Sequence, residues 1–237
     1  MEIKAADVAK LRKMTGAGMM DCKKALIEAD GDYDKAQDII RERGKLVAAK
    51  RADRSATEGV VVSKIVGQKG YMLCLACETD FVAKNSEFSA TANEILDIAI
   101  AADAADLEAL NAVAADGRTV ADKVTEKSGQ TGEKVELVYY AKIEAPMCVT
   151  YIHTNHKLGT LIGFNKEIGM EVAKDVAMQA AAMAPISISR EDCDPAVIEH
   201  ERSIGREQAR LDPSFSCRTA GAEGRAVFFR EKKTFVP

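Results

Sequence analysis

No apolar run in the sequence approaches the roughly 18 residues that a membrane-spanning helix needs, so a membrane-embedded fold is not expected. The opening residues, Met1-Glu2-Ile3-Lys4, lack the basic-then-apolar layout of an export signal, and a cytoplasmic location is expected. Phosphate-loop chemistry has no carrier: there is no GxxxxGK[ST] segment and no GxGxxG following a strand. The Thr15-Gly16-Ala17-Gly18 turn precedes a helix but has no lysine in register to meet a phosphate. Histidine is scarce, and His153, His156 and His200 show no zinc-ligand spacing. No Ser/His/Asp or Cys/His pair sits in a catalytic motif. The six cysteines, at 22, 74, 77, 148, 193 and 217, are scattered rather than arranged as a disulfide framework. Cys74 and Cys77 form the one CxxC, yet they lie in a strand pattern whose alternation sends them to opposite faces. With these absences, neither an enzyme in the covalent sense nor a cofactor is expected.

What the chain has is a globular composition: 47% hydrophobic and 30% charged residues over 237 positions. Its net charge of −4 argues against a nucleic-acid binder as a whole. Residues 1–44 read as a three-helix module. Val8 and Leu11 begin one apolar face, Met19, Met20, Ala25 and Leu26 a second, and Ala36, Ile39 and Ile40 a third. Gly16-Ala17-Gly18 and Asp30-Gly31-Asp32 punctuate the helices, with Asp32 placed as an N-cap. Three short helices have little room for every methionine. One of Met19 and Met20 is expected in the core; for the other, the core and a partner surface are equally open. The basic, alanine-rich stretch 45–55 reads as a linker or a helix extension, with a solvated linker preferred.

A repeated pattern follows. Residues 60–66, a Gly67-Gln68-Lys69-Gly70 turn and residues 71–77 form a hairpin. A helix comes next, with Phe88, Ala92, Ile95, Leu96 and Ala99 on one face. Residues 148–152, a turn at 154–157 and residues 158–164 form a second hairpin, again followed by a helix carrying Val172, Ala173, Val176, Ala177, Ala180 and Ala181. Helical segments near 106–115 and 119–128 and a strand over 135–145 lie between. The expected fold is α+β: a three-helix module resembling a ubiquitin-associated domain, then core unit one over 56–145 and core unit two beginning at 146–185, each with helices on one face of an antiparallel sheet. Residues 186–237 are read as a helical hairpin and a divergent tail.

The most informative stretch is Thr79-Asp80-Phe81-Val82-Ala83-Lys84-Asn85, on the connection from the first hairpin to its helix. Such connections ordinarily carry small polar residues. A lone aromatic there usually folds back into the core. With Asp80 beside it, Phe81 has a second reading: a wedge entering a partner and offering it a carboxylate.

This segment, with Leu11-Arg12-Lys13-Met14-Thr15-Gly16-Ala17-Gly18-Met19-Met20-Asp21-Cys22-Lys23-Lys24-Ala25-Leu26 upstream, closely resembles bacterial translation elongation factor Ts. The resemblance runs from residue 1 to about Leu211 and then decays. It implies a guanine nucleotide exchange factor whose partner is elongation factor Tu. Thr79, Asp80, Phe81 and Val82 would dislodge the partner's Mg²⁺, with Phe81 the steric element, Asp80 the group that reorganises polar contacts, and Thr79 and Val82 the base. Arg12, Met19, Met20 and Lys23 would grip the nucleotide-binding domain, and Tyr151 and His153 would touch the partner's other domains. For His153 a structural or solvent-facing role is equally open. Family dimerisation through the helical hairpin is left open, since the resemblance fails there.

Against the family pattern, Leu211 to Arg218 does not resemble a hairpin tip, and Ala222 to Arg225, Phe228-Phe229 and Phe235-Val236 read as remnants of a returning helix. A truncated or frame-disrupted member is therefore expected, without the last strand of unit two or a C-terminal docking helix. The consequence would be an open sheet edge and reduced stability. Three other readings stay open: an exchange-deficient truncated family member, a non-catalytic adaptor using the three-helix module, and a thiol redox protein using Cys74 or Cys77.

Overall fold

The structure, a computed structural model, describes residues 3–189, 191–211 and 231–235. It is α+β. Helices α1 (Ala5–Thr15), α2 (Met19–Glu28) and α3 (Tyr33–Arg51) form the N-terminal module. Gly16 ends α1 at φ 67°, its N–H donating to the Arg12 carbonyl at 2.8 Å. The Asp32 carboxylate caps α3 by accepting from the Asp34 and Lys35 amides at 3.0 and 3.2 Å. Val8, Leu11, Cys22, Ala25, Leu26 and Ala36 make the module's core. The stretch expected as a linker is helical through Arg51. Ala- and Lys-rich sequence favours helix, and packing against the core sustains it.

Unit one starts with β1 (Glu58–Val66) and β2 (Lys69–Cys77), paired so that Gly67-Gln68 is a two-residue turn. After a single helical turn, α4 (Asp80–Ala83), come α5 (Ser86–Ala101) and α6 (Leu107–Ala112). A two-residue ladder absent from the sequence reading follows, β3 (Ala114–Ala115) with β4 (Arg118–Thr119), then α7 (Val120–Thr131) and β5 (Val135–Glu144). The first sheet is antiparallel in the order β1-β2-β5. Strand alternation sorts its side chains. Val60, Val62, Tyr71, Leu73, Leu75 and Cys77 face α5, α6 and α7 and surround Phe88, Ile95, Leu96 and Leu110.

Unit two contains β6 (Met147–Ile152), β7 (Gly159–Phe164) and α8 (Met170–Met183), followed by α9 (Pro195–Leu211) and β8 (Glu231–Phe235). The other face of the first sheet, with Val61, Met72, Cys74, Ala141 and Ile143, packs on Cys148 and Leu161 of the second. Beyond it, Val149, Ile162 and Phe164 meet Ala173, Ala177 and Ala180 of α8. The core is thus helices, sheet, sheet, helix. Val172, expected on the inner face of α8, is exposed: the buried positions 173, 177, 180 and 181 define a stripe that turns it outward.

The expected loss of unit two's last strand is corrected. Glu231–Phe235 pairs antiparallel with β7, from Gly159↔Phe235 to Gly163↔Glu231, giving the order β6-β7-β8. Lys232 and Lys233 suit a sheet edge, which a tail read as helix remnants did not anticipate. The rest of the tail expectation, over 212–230 and 236–237, lies outside the described residues.

The module joins the core by a close helix crossing. At Gly129 of α7 an added Cβ would stand 2.4 Å from the Gly44 Cα of α3, so the two backbones touch. Nearby, the Gln130 side-chain amide donates to the Thr15 carbonyl at 2.8 Å, and Arg41 pairs with Glu126 at 3.6 Å. The module is therefore fastened along α3 rather than tethered.

Candidate functional site

Strand β2 ends at Cys77, and the chain turns outward through Glu78 and Thr79 into α4. Thr79 is the N-cap, extended at φ −123° and ψ 154°, and its carbonyl accepts the first helical bond from Ala83 at 3.2 Å. One turn later the Asn85 side chain caps α5, accepting from the Glu87 amide at 2.8 Å. Two caps in seven residues allow only one turn of helix between them.

That turn sorts its residues sharply. Ala83 is buried and Val82 partly buried against the unit-one core, while Phe81 is 84% exposed. Of the two readings of Phe81, folding back into the core is excluded. A full burial would favour the ring by about 1.5–3 kcal/mol, so the backbone here holds a large apolar group against its own solvation preference. Asp80 accepts from Lys84 Nζ at 2.6 Å, one helical turn on. That bond, with help from Lys157, holds its carboxyl below the usual carboxylate range, so it is ionised at neutral pH.

The base of the turn is held by two carboxylates, Glu78 and Glu133, that the sequence reading missed. Glu133, at the α7–β5 junction, accepts from the Glu78 amide at 3.1 Å, the Thr79 amide at 3.0 Å and the Thr79 hydroxyl at 2.6 Å. Glu78 accepts from the Lys134 amide at 2.6 Å, from Arg51 at 3.0 and 3.1 Å, and from Arg54 at 3.1 Å. The Lys134 amide first, then the two guanidinium groups, hold the Glu78 carboxyl below its ordinary range. Glu78 could have been noticed as the acid directly preceding the Thr79-Asp80-Phe81 segment. Nothing local in the sequence points to Glu133, some 54 positions away.

Arg12, Met19, Met20 and Lys23 are all exposed around the α1–α2 end of the module. The expectation that one methionine is core is corrected: Met19 is 44% and Met20 63% exposed. The inward places near the start of α2 are taken by Ala17 and Cys22, which turns Met19 and Met20 outward. Met14 and Ile27 add to the same exposed apolar character.

The third group lies on the β6–β7 hairpin. Tyr151 is half-buried, and its hydroxyl meets His153 Nδ1 at 2.9 Å. His153 and His156 are exposed, and the His156 carbonyl accepts from the Val61 amide at 2.7 Å, which seats the hairpin tip on β1. Beside it Lys157 pairs with Glu58 and lies close enough to Asp80 to favour its ionised form. The structure therefore brings the α4 turn and the hairpin tip together. The module surface stands apart, connected to the α4 base through α3 and Arg51.

Cys74 and Cys77 do fall on opposite faces of the sheet, one between the sheets and one under the helices. Burial pushes both thiols up to about 12, which withholds the thiolate that redox exchange requires. Among the described residues, no helix is long and apolar enough to cross a membrane.

Comparison with known proteins points to one family. The profile described as Elongation factor TS matches residues 78–216. An elongation factor Ts of Porphyromonas gingivalis is 48% identical over 210 residues, covering 88% of this chain and 77% of that protein. One of Bacteroides thetaiotaomicron is 46% identical over 213 residues, covering 90% of this chain and 64% of the relative. One of Cytophaga hutchinsonii is 44% identical over 216 residues, covering 89% and 78%.

Proposed function

The chain belongs to the elongation factor Ts family, and from that premise we propose that it binds elongation factor Tu and accelerates GDP release through the Asp80–Phe81 turn. The observation that carries the reading is a phenyl ring 84% exposed on a helical turn whose base is fixed by six donors to two carboxylates and by two buried or half-buried neighbours. A ring held in water by a rigid mount is prepaid for insertion: its desolvation is favourable, and little conformational entropy remains to be lost.

An exchange factor must bind its partner in a form that holds nucleotide and Mg²⁺ poorly. By linkage, nucleotide then weakens the factor by the same ratio as the factor weakens nucleotide. Phe81 would supply the steric displacement. Asp80 would leave Lys84 and reorganise polar contacts around the partner's Mg²⁺. Loss of that ion removes the largest local positive charge on the phosphates, so GDP leaves faster. Thr79 and Val82 hold the turn in place. Docking energy would come from Arg12, Met19, Met20 and Lys23 on one side and from Tyr151 and His153 on the other. Adaptable thioethers suit such a surface, and the Tyr151–His153 bond presents both rings as one unit.

The test is stopped-flow release of a fluorescent GDP analogue from elongation factor Tu. Wild type should accelerate release. Phe81→Ala should reduce that acceleration about tenfold or more, equivalent to about 1.4 kcal/mol of lost coupling, with unchanged circular dichroism. Acceleration that survives Phe81→Ala would remove the wedge from the mechanism.

A further inference from the structure

We infer that Glu133 is a positioning residue for exchange: it acts through Thr79 to hold the Asp80–Phe81 turn at a fixed angle to the core. This rests on the exchange reading above and adds to it a residue outside the recognised segment.

The geometry is unusual for a helix start. An N-cap threonine ordinarily turns its side-chain oxygen inward to accept an amide of its own first turn. Thr79 makes no such bond. Its hydroxyl instead donates to Glu133 Oε1 at 2.6 Å, while its amide and that of Glu78 converge on Glu133 Oε2 at 3.0 and 3.1 Å. The turn forgoes its local cap for a tether to a distant part of the chain. Bonds to an ionised acceptor are about twice as strong as neutral ones, and three on one carboxylate fix direction as well as distance.

The second carboxylate crosses the first. Glu78 supplies an amide to Glu133, while its side chain takes the Lys134 amide at 2.6 Å, so residues 78–79 and 133–134 are laced in both directions. Arg51, the last residue of α3, and Arg54, three residues beyond it, close on Glu78 from the module side at 3.0 to 3.1 Å. Glu133 stands at the centre of this lacing. It lies two residues past α7, the helix on which the module is seated.

The test is a double-mutant cycle on GDP release, with binding to nucleotide-free elongation factor Tu measured in parallel. Glu133→Ala should slow stimulated release about tenfold while changing affinity for nucleotide-free partner much less. Glu133→Gln, which keeps an acceptor oxygen, should recover part of the rate, and Thr79→Val should lose less than Glu133→Ala. In a Phe81→Ala background, Glu133→Ala should have almost no further effect, because the group it positions is gone. Full additivity with Phe81→Ala, or unaltered release by a folded Glu133→Ala, overturns the positioning role. If Glu133→Ala lowers the melting temperature too far to assay, Glu133→Gln and Thr79→Val carry the same cycle. Inertness of Phe81→Ala itself would instead remove the exchange reading on which the inference rests.

Discussion

The two core units share one plan and fill it differently. Unit one closes around large side chains: Phe88, Ile95, Leu96 and Leu110 from its helices against Leu73, Leu75 and Tyr140 from its sheet. Unit two lays an alanine stripe, Ala173, Ala177 and Ala180, against Val149, Ile162 and Phe164. Small residues let α8 approach so closely that the buried Thr160 hydroxyl donates to the Ala177 carbonyl at 2.8 Å. Little apolar area is gained in return, and Met170, Val172, Met178 and Met183 face outward. Burial energy follows area. The unit that carries the α4 turn is therefore the firmly anchored one, and the unit that carries the Tyr151–His153 hairpin is the lighter one.

Substitutions that remove comparable structural elements should separate the units most. Phe88→Ala should cost about 3–5 kcal/mol, read from urea denaturation, whereas Ala177→Gly should cost about 1 kcal/mol. Similar losses at both sites would dissolve the contrast. In hydrogen exchange, amides of α8 should open before those of α5.

The seat of the module on unit one gives a sharper, asymmetric pair. Gly129→Ala drives a methyl to 2.4 Å from backbone of α3 and should cost about 1–3 kcal/mol by parting the helices. Gly44→Ala, whose methyl would stand at 3.5 Å, should instead stabilise by about 0.5–1 kcal/mol through helix propensity. Equal effects at the two glycines would mean that the helices do not cross there.

Acid should reach unit one through Glu78. Its folded carboxyl titrates below the ordinary value near 4.3, so its contribution is complete above that pH and is lost as pH falls through the lower folded value. Glu78→Gln should flatten the stability–pH curve below about pH 4.3 and leave the neutral-to-alkaline limb unchanged in shape. A smaller effect concerns Asp103, which accepts from Lys69 at 3.0 Å, Tyr71 at 3.0 Å and Lys142, and is held at about 2. An NMR titration should find that midpoint; a midpoint near 3.9, the ordinary aspartate value, would show that the tie between α5 and the first sheet is open in solution.

Much of the fold was legible because it rests on local periodicity. The Phe88, Ala92, Ile95, Leu96 and Ala99 face, the two hairpins and the Asp32 cap were all readable from spacing alone. Errors arose where partners decided. Met19 has an apolar neighbour pattern but stands exposed where Ala17 and Cys22 take the inward places, and Val172 differs from Ala173 only by a 100° step around a helix. Strand Glu231–Phe235 was missed because a short polar strand has little intrinsic preference and forms against the free edge of β7.

By itself, the sequence determined the α+β class, the order of module and paired units, and the family to which the residues around Thr79–Asn85 belong. Those follow from side-chain periodicity and from motifs written contiguously in the chain. Tertiary structure alone decided that Phe81 stands in solvent, that Gly44 meets Gly129, and that Glu133 grips Thr79. Each depends on groups far apart in sequence, and a hydrogen bond or a close approach acts only over a few ångströms, whatever the separation along the chain.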